Sequence, residues 1–121
     1  MSKLILTVDD SPSMRLLLKA SLSAKGFTVE TAEDGVQGFE QLQQLSFDLL
    51  ITDINMPNMD GFELIEQVRA HGGYGALPIL VLSTEFSPEK KARARDAGAT
   101  GWLTKPFDAD KLDTAIRRVC P

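Results

Sequence analysis

Short apolar segments alternate with segments of helical periodicity along the whole chain. The apolar segments predict five strands, and the first, third and fourth are almost continuously apolar, as in a sheet covered on both faces. The predicted strands are Leu4–Val8, Thr28–Ala32, Phe47–Ile51, Ile79–Leu82 and Gly101–Leu103. Strands of this kind favour a parallel sheet.

Five helices are predicted, one after each strand. Apolar residues recur at the spacing of an amphipathic helix in three segments. These stripes are Met14, Leu17, Leu18 and Leu22, then Leu64, Ile65 and Val68, then Leu112, Ala115, Ile116 and Val119. Ser11-Pro12 and Ser87-Pro88 place a capping hydroxyl before a proline at the first helical position, and Asp60 is a third start signal.

A βα unit repeated five times predicts an α/β fold with right-handed crossovers. The 121 residues are about half of what an eight-unit barrel needs, so we expect a three-layer αβα sandwich around an open parallel sheet. Because no linker or low-complexity tract interrupts the pattern, residues 1–121 are expected to form a single domain.

Composition and charge narrow the class of protein. Hydrophobic residues make up 43% and charged residues 25%, close to the average of soluble globular proteins. Thirteen basic against 17 acidic residues give a net charge of −4, which disfavours nucleic acid as a partner. The single Cys120 excludes an internal disulfide, and no signal peptide, lipidation motif or membrane span is visible. We therefore expect a cytoplasmic protein without a membrane partner.

Polar side chains follow four of the five predicted strands. They are Asp9 and Asp10, then Asp53, then Ser83, then Lys105, whereas the second strand is predicted to deliver no such group. In open α/β sheets ligands bind at the carboxyl ends of the strands, so these groups are predicted to form one site. A single Asp after a strand is often only a helix cap or a turn former, so the prediction rests on their convergence.

Three carboxylates at one edge repel one another unless a cation lies among them. Carboxylate, carbonyl and water oxygens suit Mg²⁺, which binds one or two protein carboxylates together with a substrate phosphate. An Asp is also a competent nucleophile toward phosphorus, and Lys105 and the Ser83 hydroxyl could neutralise the transferred group. The predicted chemistry is phosphoryl transfer.

Two other ligand-binding motifs are excluded by the sequence, and the lone histidine has a structural interpretation. Asp53-x-Asn55 begins like a calcium-binding loop, but Pro57 and Asn58 stand where an oxygen ligand and a glycine are needed. No glycine-rich nucleotide fingerprint follows a strand and opens a helix. The lone His71 is predicted in the last turn of the third helix, where it suits the helix dipole.

Four segments together resemble the receiver domain of bacterial response regulators. They are Val8-Asp9-Asp10, residues 53–61, Ser83-Thr84-Glu85 and residues 98–107, and the likeness covers essentially the whole chain. Because nothing follows the fifth helix, the chain most resembles the stand-alone chemotaxis regulators of the CheY type. The resemblance implies a flavodoxin-like fold with strand order 2-1-3-4-5.

The resemblance also implies roles for individual residues. Asp53 matches the phosphoacceptor, Asp9 and Asp10 match the acidic pair that holds Mg²⁺, and the Asn55 backbone carbonyl completes the protein ligands. Lys105 matches the lysine that contacts the phosphoryl group, and the Pro106 after it usually follows a cis bond.

The same family implies a switch and a control of dephosphorylation. Ser83 matches the switch hydroxyl, and Trp102 stands at the switch aromatic position, where Tyr or Phe is more usual. Asn55 and Glu85 occupy the positions that tune dephosphorylation.

The expected function is therefore a phosphoacceptor switch of a two-component system. A chemotaxis-type histidine kinase would phosphorylate Asp53, and the monomeric product would bind a target such as a flagellar motor switch protein, with a phosphatase as a further possible partner. The protein would not be an enzyme beyond its own phosphorylation and dephosphorylation. The alternatives are a phosphate sink or a regulator unrelated to motility, a Mg²⁺-dependent phosphohydrolase, and a flavin carrier. Asn55 disfavours the phosphohydrolase, because it stands where such an enzyme would need an acidic general acid. The two acids after the first strand disfavour the flavin carrier, because they would repel the phosphate of the flavin.

The fourth predicted helix is basic and has few apolar residues. Its charged residues include Lys90, Lys91, Arg93 and Arg95, and its only apolar side chains belong to alanines. With little to bury, this helix is expected to pack loosely. A basic helix on an acidic protein suits an acidic partner segment, and the alternative is a plain solvated helix without a partner.

Overall fold

Five parallel strands form one sheet in the computed structural model, which describes residues 2–121. The strands are β1 (Leu4–Val8), β2 (Thr28–Ala32), β3 (Leu49–Thr52), β4 (Ile79–Ser83) and β5 (Gly101–Thr104). Their order in the sheet is β2-β1-β3-β4-β5, and every neighbouring pair is parallel. The predicted fold and strand order are confirmed.

One helix follows each strand. The helices are α1 (Pro12–Ala24), α2 (Gly35–Gln44), α3 (Gly61–Ala70), α4 (Pro88–Ala97) and α5 (Ala109–Val119). α3 contacts both α2 and α4, and α1 contacts α5, so the helices form two layers. No helix within residues 2–121 has the length and apolar character needed to cross a membrane.

The sheet separates two apolar cores. Successive side chains of a strand point to opposite faces, so Leu6 lies in the core beneath α2, α3 and α4, whereas Ile5 lies in the core beneath α1 and α5. In β3, Leu50 joins the first core and its neighbours Leu49 and Ile51 join the second. Burial on both faces explains why the central strands are continuously apolar.

The predicted helix starts are confirmed by side-chain caps. The Ser11 hydroxyl accepts a hydrogen bond from the Met14 amide, and the Ser87 hydroxyl accepts one from the Lys90 amide. The Asp60 carboxylate caps α3 in the same way. Because each helix follows a strand, these capped ends lie at the edge where the strands end.

The prediction for the third strand was wrong by two residues at its start. β3 begins at Leu49, whose partner on β1 is Ile5, and it ends at Thr52. Before it, the Asp48 carboxylate accepts a hydrogen bond from the Leu4 amide at 2.8 Å, and the Asp48 amide donates one to the Leu4 carbonyl, also at 2.8 Å. Phe47 and Asp48, which the prediction included, therefore precede the strand. β4 and β5 each extend one residue beyond the prediction, because Ser83 still pairs with Thr104.

The prediction for His71 was correct to within one residue, because His71 is the C-cap of α3 and its amide donates to the Gln67 carbonyl. His71 follows the last turn of α3 with an extended backbone, and its side chain is exposed. The imidazole ring stacks on Tyr74 at a centroid distance of 5.4 Å and meets the edge of Phe39 at 5.5 Å. Aromatic packing between the α3–β4 loop and α2 is therefore the contact that this residue makes.

Candidate functional site

Three carboxylates meet where β1 and β3 end. Asp9 and Asp10 follow β1, and Asp53 follows β3, whose neighbour in the sheet is β1. The Asp53 amide donates a hydrogen bond to the Val8 carbonyl at 3.0 Å, which aligns the two strand ends. One oxygen from each of the three carboxylates lies within 4.8 Å of the others. Asp9 and Asp53 are buried, whereas Asp10 is exposed.

Lys105 joins two of these carboxylates. Its Nζ lies 2.7 Å from Asp9 Oδ2 and 2.7 Å from Asp53 Oδ2, and its backbone amide donates to the Ser83 carbonyl. The Lys105–Pro106 peptide is cis, as the resemblance implied. Burial lowers the pKa of Lys105, but the hydrogen bonds and charges of Asp53 and Asp9 outweigh burial and raise the pKa above its usual value. The ammonium therefore stays charged at neutral pH.

Neighbouring residues of the same strand end and of α3 hold Asp53 in place. Its Oδ1 accepts a hydrogen bond from the Ile54 amide at 2.6 Å, and its carbonyl accepts one from Thr52 Oγ1 at 2.8 Å. Gly61, the first residue of α3, packs directly on this peptide, and a Cβ there would lie 2.2 Å from the Asp53 carbonyl oxygen. The Gly61 amide also donates to the Ile54 carbonyl, so α3 starts against the end of β3.

The second strand also delivers a carboxylate to this edge, contrary to the prediction. Asp34 follows β2, is buried, and caps α2 by accepting a hydrogen bond from the Gln37 amide at 2.9 Å. Its other oxygen accepts one from Asn58 Nδ2 at 2.7 Å, and Asn58 has a positive φ of 67°. Hydrogen bonds from Gln37 and then Asn58 lower the pKa of Asp34. This carboxylate therefore holds the β3–α3 loop rather than joining the acidic cluster.

Glu85 connects the site to α4 and β5. Its amide donates to the hydroxyl of the fully buried Ser83 at 3.2 Å, and its carbonyl accepts from Trp102 Nε1 at 3.0 Å. Its carboxylate pairs with Lys90 at 2.9 Å and lies 3.5 Å from the Asn55 amide nitrogen. Lys90, followed by Asn55, lowers the pKa of Glu85. The residues predicted as switch and tuning positions thus contact one another through Glu85.

α4 is weakly anchored, as expected. Ala94 is its only buried residue, and the Arg93 guanidinium lies 4.1 Å above the Phe62 ring of α3. A groove of about 360 Å³ separates α4 from β5, and its lining includes Lys91, Arg95 and Trp102. The rim of this groove, formed by α4, is therefore basic.

The chain is similar to known proteins of one family. Residues 5–117 match the family described as the response regulator receiver domain. The chain belongs to this family. Receiver domains are the signalling switches of two-component systems. Membership of this family therefore supports the phosphoacceptor chemistry that was predicted from the residues after the strands.

Three relatives illustrate the range of this receiver domain. The response regulator MprA of Mycobacterium ulcerans is 42% identical over 117 residues, which cover 97% of this chain and 50% of that protein. The chemotaxis response regulator CheY4 of Vibrio cholerae is 44% identical with a TM-score of 0.93, over 98% of this chain and 99% of that one. A receiver domain of a Pseudomonas aeruginosa sensor histidine kinase was solved with a magnesium ion in its active site cleft. It is 25% identical with a TM-score of 0.92, over 99% of this chain and 98% of that one.

The receiver domain occurs in proteins of very different length. The chain spans half or less of the length of the curated relatives that it matches. The likeness to CheY4 in contrast extends over nearly the whole of both chains. The comparisons therefore show the receiver fold and its family.

Several residues at this site were missed by sequence reasoning. Arg15 contacts the Asp9 carbonyl, Asn58 contacts Asp34, and Gly61 packs against Asp53. Asp34 had a usable signal, because Asp is a preferred N-cap residue and Asp34 lies between a predicted strand and a predicted helix. Arg15 gave none, since a basic residue on the first turns of a helix is usually solvated.

Proposed function

We propose that this receiver domain accepts a phosphoryl group on Asp53 from a histidine kinase, with Mg²⁺ bound beside it, and changes its affinity for a partner. The observation that supports this most directly is the Lys105 ammonium, 2.7 Å from both Asp9 and Asp53. A buried carboxylate paired with a lysine beside further acids combines a nucleophile with the cation that stabilises a transferred phosphoryl group.

The acidic residues fit a hard divalent cation. The Asp9, Asp10 and Asp53 carboxylates present oxygens within 4.8 Å of one another, and carboxylate oxygens are the ligands that Mg²⁺ prefers. By the family resemblance, the Asn55 backbone carbonyl would be a further ligand. When bound, the ion would neutralise negative charge on the oxygens of the transferred group.

The transfer step assigns a role to each remaining residue. A bond forms between an Asp53 carboxylate oxygen and phosphorus, while the bond from phosphorus to the donor breaks and the donor keeps the electron pair. The hydrogen bond from the Ile54 amide orients the nucleophile, and Lys105 supplies positive charge beside it. The buried Ser83 hydroxyl ends the adjacent strand and would turn toward the new phosphoryl oxygens.

Contacts through Glu85 provide a route from the site to the output face. If Ser83 turns, its hydrogen bond with the Glu85 amide changes, and Glu85 also binds Lys90 of α4 and Trp102 of β5. Because α4 buries only Ala94, a small change at its start shifts it at low cost. Asn55 and Glu85, whose side chains meet, would set the access of water to the acyl phosphate.

The proposed output is binding of a downstream target in chemotaxis. The likeness to a chemotaxis response regulator over nearly the whole of both chains favours this pathway, with a flagellar motor switch protein as target. The basic rim of the groove between α4 and β5 suits an acidic segment of such a partner. We further propose that residues 1–121 act as a single monomeric domain in the cytoplasm. A phosphate sink for another regulator is the alternative output.

Replacement of the phosphoacceptor tests the proposal directly. The protein is incubated with acetyl phosphate and Mg²⁺, and its intact mass is measured. The wild type should gain the mass of one phosphoryl group, Asp53→Asn should gain none, and an excess of chelator should prevent the gain. Asp96→Asn, which removes an exposed carboxylate on α4, is the matched control and should be phosphorylated normally. Full phosphorylation of a folded Asp53→Asn variant would refute the assignment.

A further inference from the structure

Arg15 is a second basic residue at the acidic edge, besides Lys105. Arg15 lies on α1, and its Nη1 donates a hydrogen bond to the backbone carbonyl of Asp9 at 2.7 Å. The contact is partly buried, and the Arg15 amide is itself fixed by the Ser11 carbonyl in the first turn of α1. A rigid helix therefore presents the guanidinium to the loop that joins β1 to α1.

The three carboxylates differ in what holds their side chains. Asp9 accepts hydrogen bonds from the Ser11 amide at 2.9 Å and from Lys105, and Asp53 accepts them from the Ile54 amide and Lys105. The Asp10 carboxylate is exposed and accepts no hydrogen bond from residues 2–121. Its position is therefore determined by the backbone from which it projects.

The Asp9 carbonyl and the Asp10 amide belong to the same planar peptide unit. A hydrogen bond that fixes the Asp9 carbonyl thus fixes the plane of that peptide and the direction in which the chain enters Asp10. Because no side-chain contact places the Asp10 carboxylate, its position depends on this stretch of backbone, and the Arg15 bond to the Asp9 carbonyl is a side-chain contact that holds the peptide leading into Asp10. A charged donor makes this a strong hydrogen bond.

We propose that Arg15 is a positioning residue for the divalent cation, which holds the Asp9–Asp10 peptide so that the Asp10 carboxylate faces Asp9 and Asp53. The proposal rests on the proposed function in so far as that site binds Mg²⁺. Partners that orient metal ligands without touching the metal are important for affinity, and their loss commonly weakens binding about tenfold or more.

An electrostatic role and a positioning role of Arg15 predict opposite changes in Mg²⁺ affinity when Arg15 is replaced. Removing a positive charge near the site reduces repulsion of the cation, so electrostatics alone predicts tighter Mg²⁺ binding. Loss of the hydrogen bond to the Asp9 carbonyl frees the peptide and predicts weaker binding. The direction of the change therefore separates a positioning role from a purely electrostatic one.

The test is a Mg²⁺ titration followed by amide chemical shifts in ¹H–¹⁵N NMR spectra. Arg15→Met is expected to weaken Mg²⁺ binding about tenfold. Lys19→Met, which removes the same charge from an exposed position one turn further along α1, is the matched control and should bind Mg²⁺ at least as tightly as the wild type. Unchanged or tighter binding by Arg15→Met, or equal weakening in both variants, would overturn the proposal.

A measurement without metal separates this proposal from the proposed function. The Ser11 amide donates to the Asp9 carboxylate within the same loop, so its hydrogen exchange should be faster in Arg15→Met than in the wild type, with no Mg²⁺ present. If the wild type itself shows no Mg²⁺-dependent shifts, the proposed metal site fails. Unaltered Ser11 exchange overturns the role of Arg15. If Arg15→Met does not fold, Arg15→Ala, which also removes both the charge and the hydrogen bond to the Asp9 carbonyl, is judged by both measurements in the same way.

Discussion

Replacing Gly61 with alanine is expected to damage both the stability and the chemistry of this domain. Gly61 is the first residue of α3, and it has no positive φ that would by itself demand glycine. Its added methyl group would lie 2.2 Å from the Asp53 carbonyl oxygen and 2.8 Å from the Ile54 Cα. Both atoms belong to the backbone, so no side-chain rotation relieves the clash.

The size of the effect follows from these distances. A comfortable contact between such atoms is about 3.5 Å, so the start of α3 and the end of β3 would have to separate by roughly 1 Å. That movement stretches the bond from the Gly61 amide to the Ile54 carbonyl, now 2.8 Å, and displaces the Asp53 peptide. Overpacking against a fixed backbone costs about 1–3 kcal/mol, and we expect Gly61→Ala at the upper end of that range.

Urea unfolding followed by circular dichroism measures this cost, and acetyl phosphate labelling measures the chemistry. Gly75→Ala is the matched control, because a Cβ there meets nothing within 4 Å and its φ lies outside the left-handed region. The control should raise the free energy of unfolding by about 0.4–1 kcal/mol, since alanine restricts the unfolded chain. Gly61→Ala should also be phosphorylated more slowly than the control. Equal stability and equal labelling of both variants would contradict the steric argument.

Two further predictions concern the output face and the response to acid. Lys91→Glu combined with Arg95→Glu should weaken binding of the downstream target and remove the dependence of that binding on ionic strength. The affinity is measured by titrating the target into the protein in the presence of an acyl-phosphate mimic, and an unchanged affinity would exclude this face. The pKa of Asp34 is lowered by Gln37 and Asn58, so its stabilising contribution is present above the ordinary value of 3.8 and is lost as pH falls through the lower folded value. Asp34→Asn should therefore lower the free energy of unfolding at neutral pH and make that free energy fall less steeply as the pH is lowered. If urea unfolding gives the same pH dependence for Asp34→Asn and the wild type, the Asp34 carboxylate does not stabilise the fold in this way.

The sequence by itself determined the elements and the edge at which the chemistry lies. Apolar runs and helical stripes record burial, which is a property of each segment, and caps such as Ser11 and Asp60 act within three residues of their own position. Since parallel strands end at one edge, the residues that follow them had to lie near one another. For these reasons the alternation of elements and the convergence of Asp9 with Asp53 were predictable.

Strand ends were less predictable because apolar character does not require pairing. The predicted segment starts at the apolar Phe47, whereas the first residue paired in the sheet is Leu49 opposite Ile5, and that register depends on the neighbouring strand. His71 lies one residue beyond its predicted position, as the C-cap of α3, and its contact with Tyr74 of the following loop could not be predicted from a local pattern.

Only the tertiary structure decided which side chains touch at the site. Lys105 lies 96 residues from Asp9 and 52 from Asp53, and Arg15 reaches a carbonyl rather than a carboxylate. Contacts between loops depend on the relative placement of several strands and helices, which no local pattern records. The same reason hid the close approach of Gly61 to Asp53, because a clash that glycine avoids is visible only when both backbones are in place.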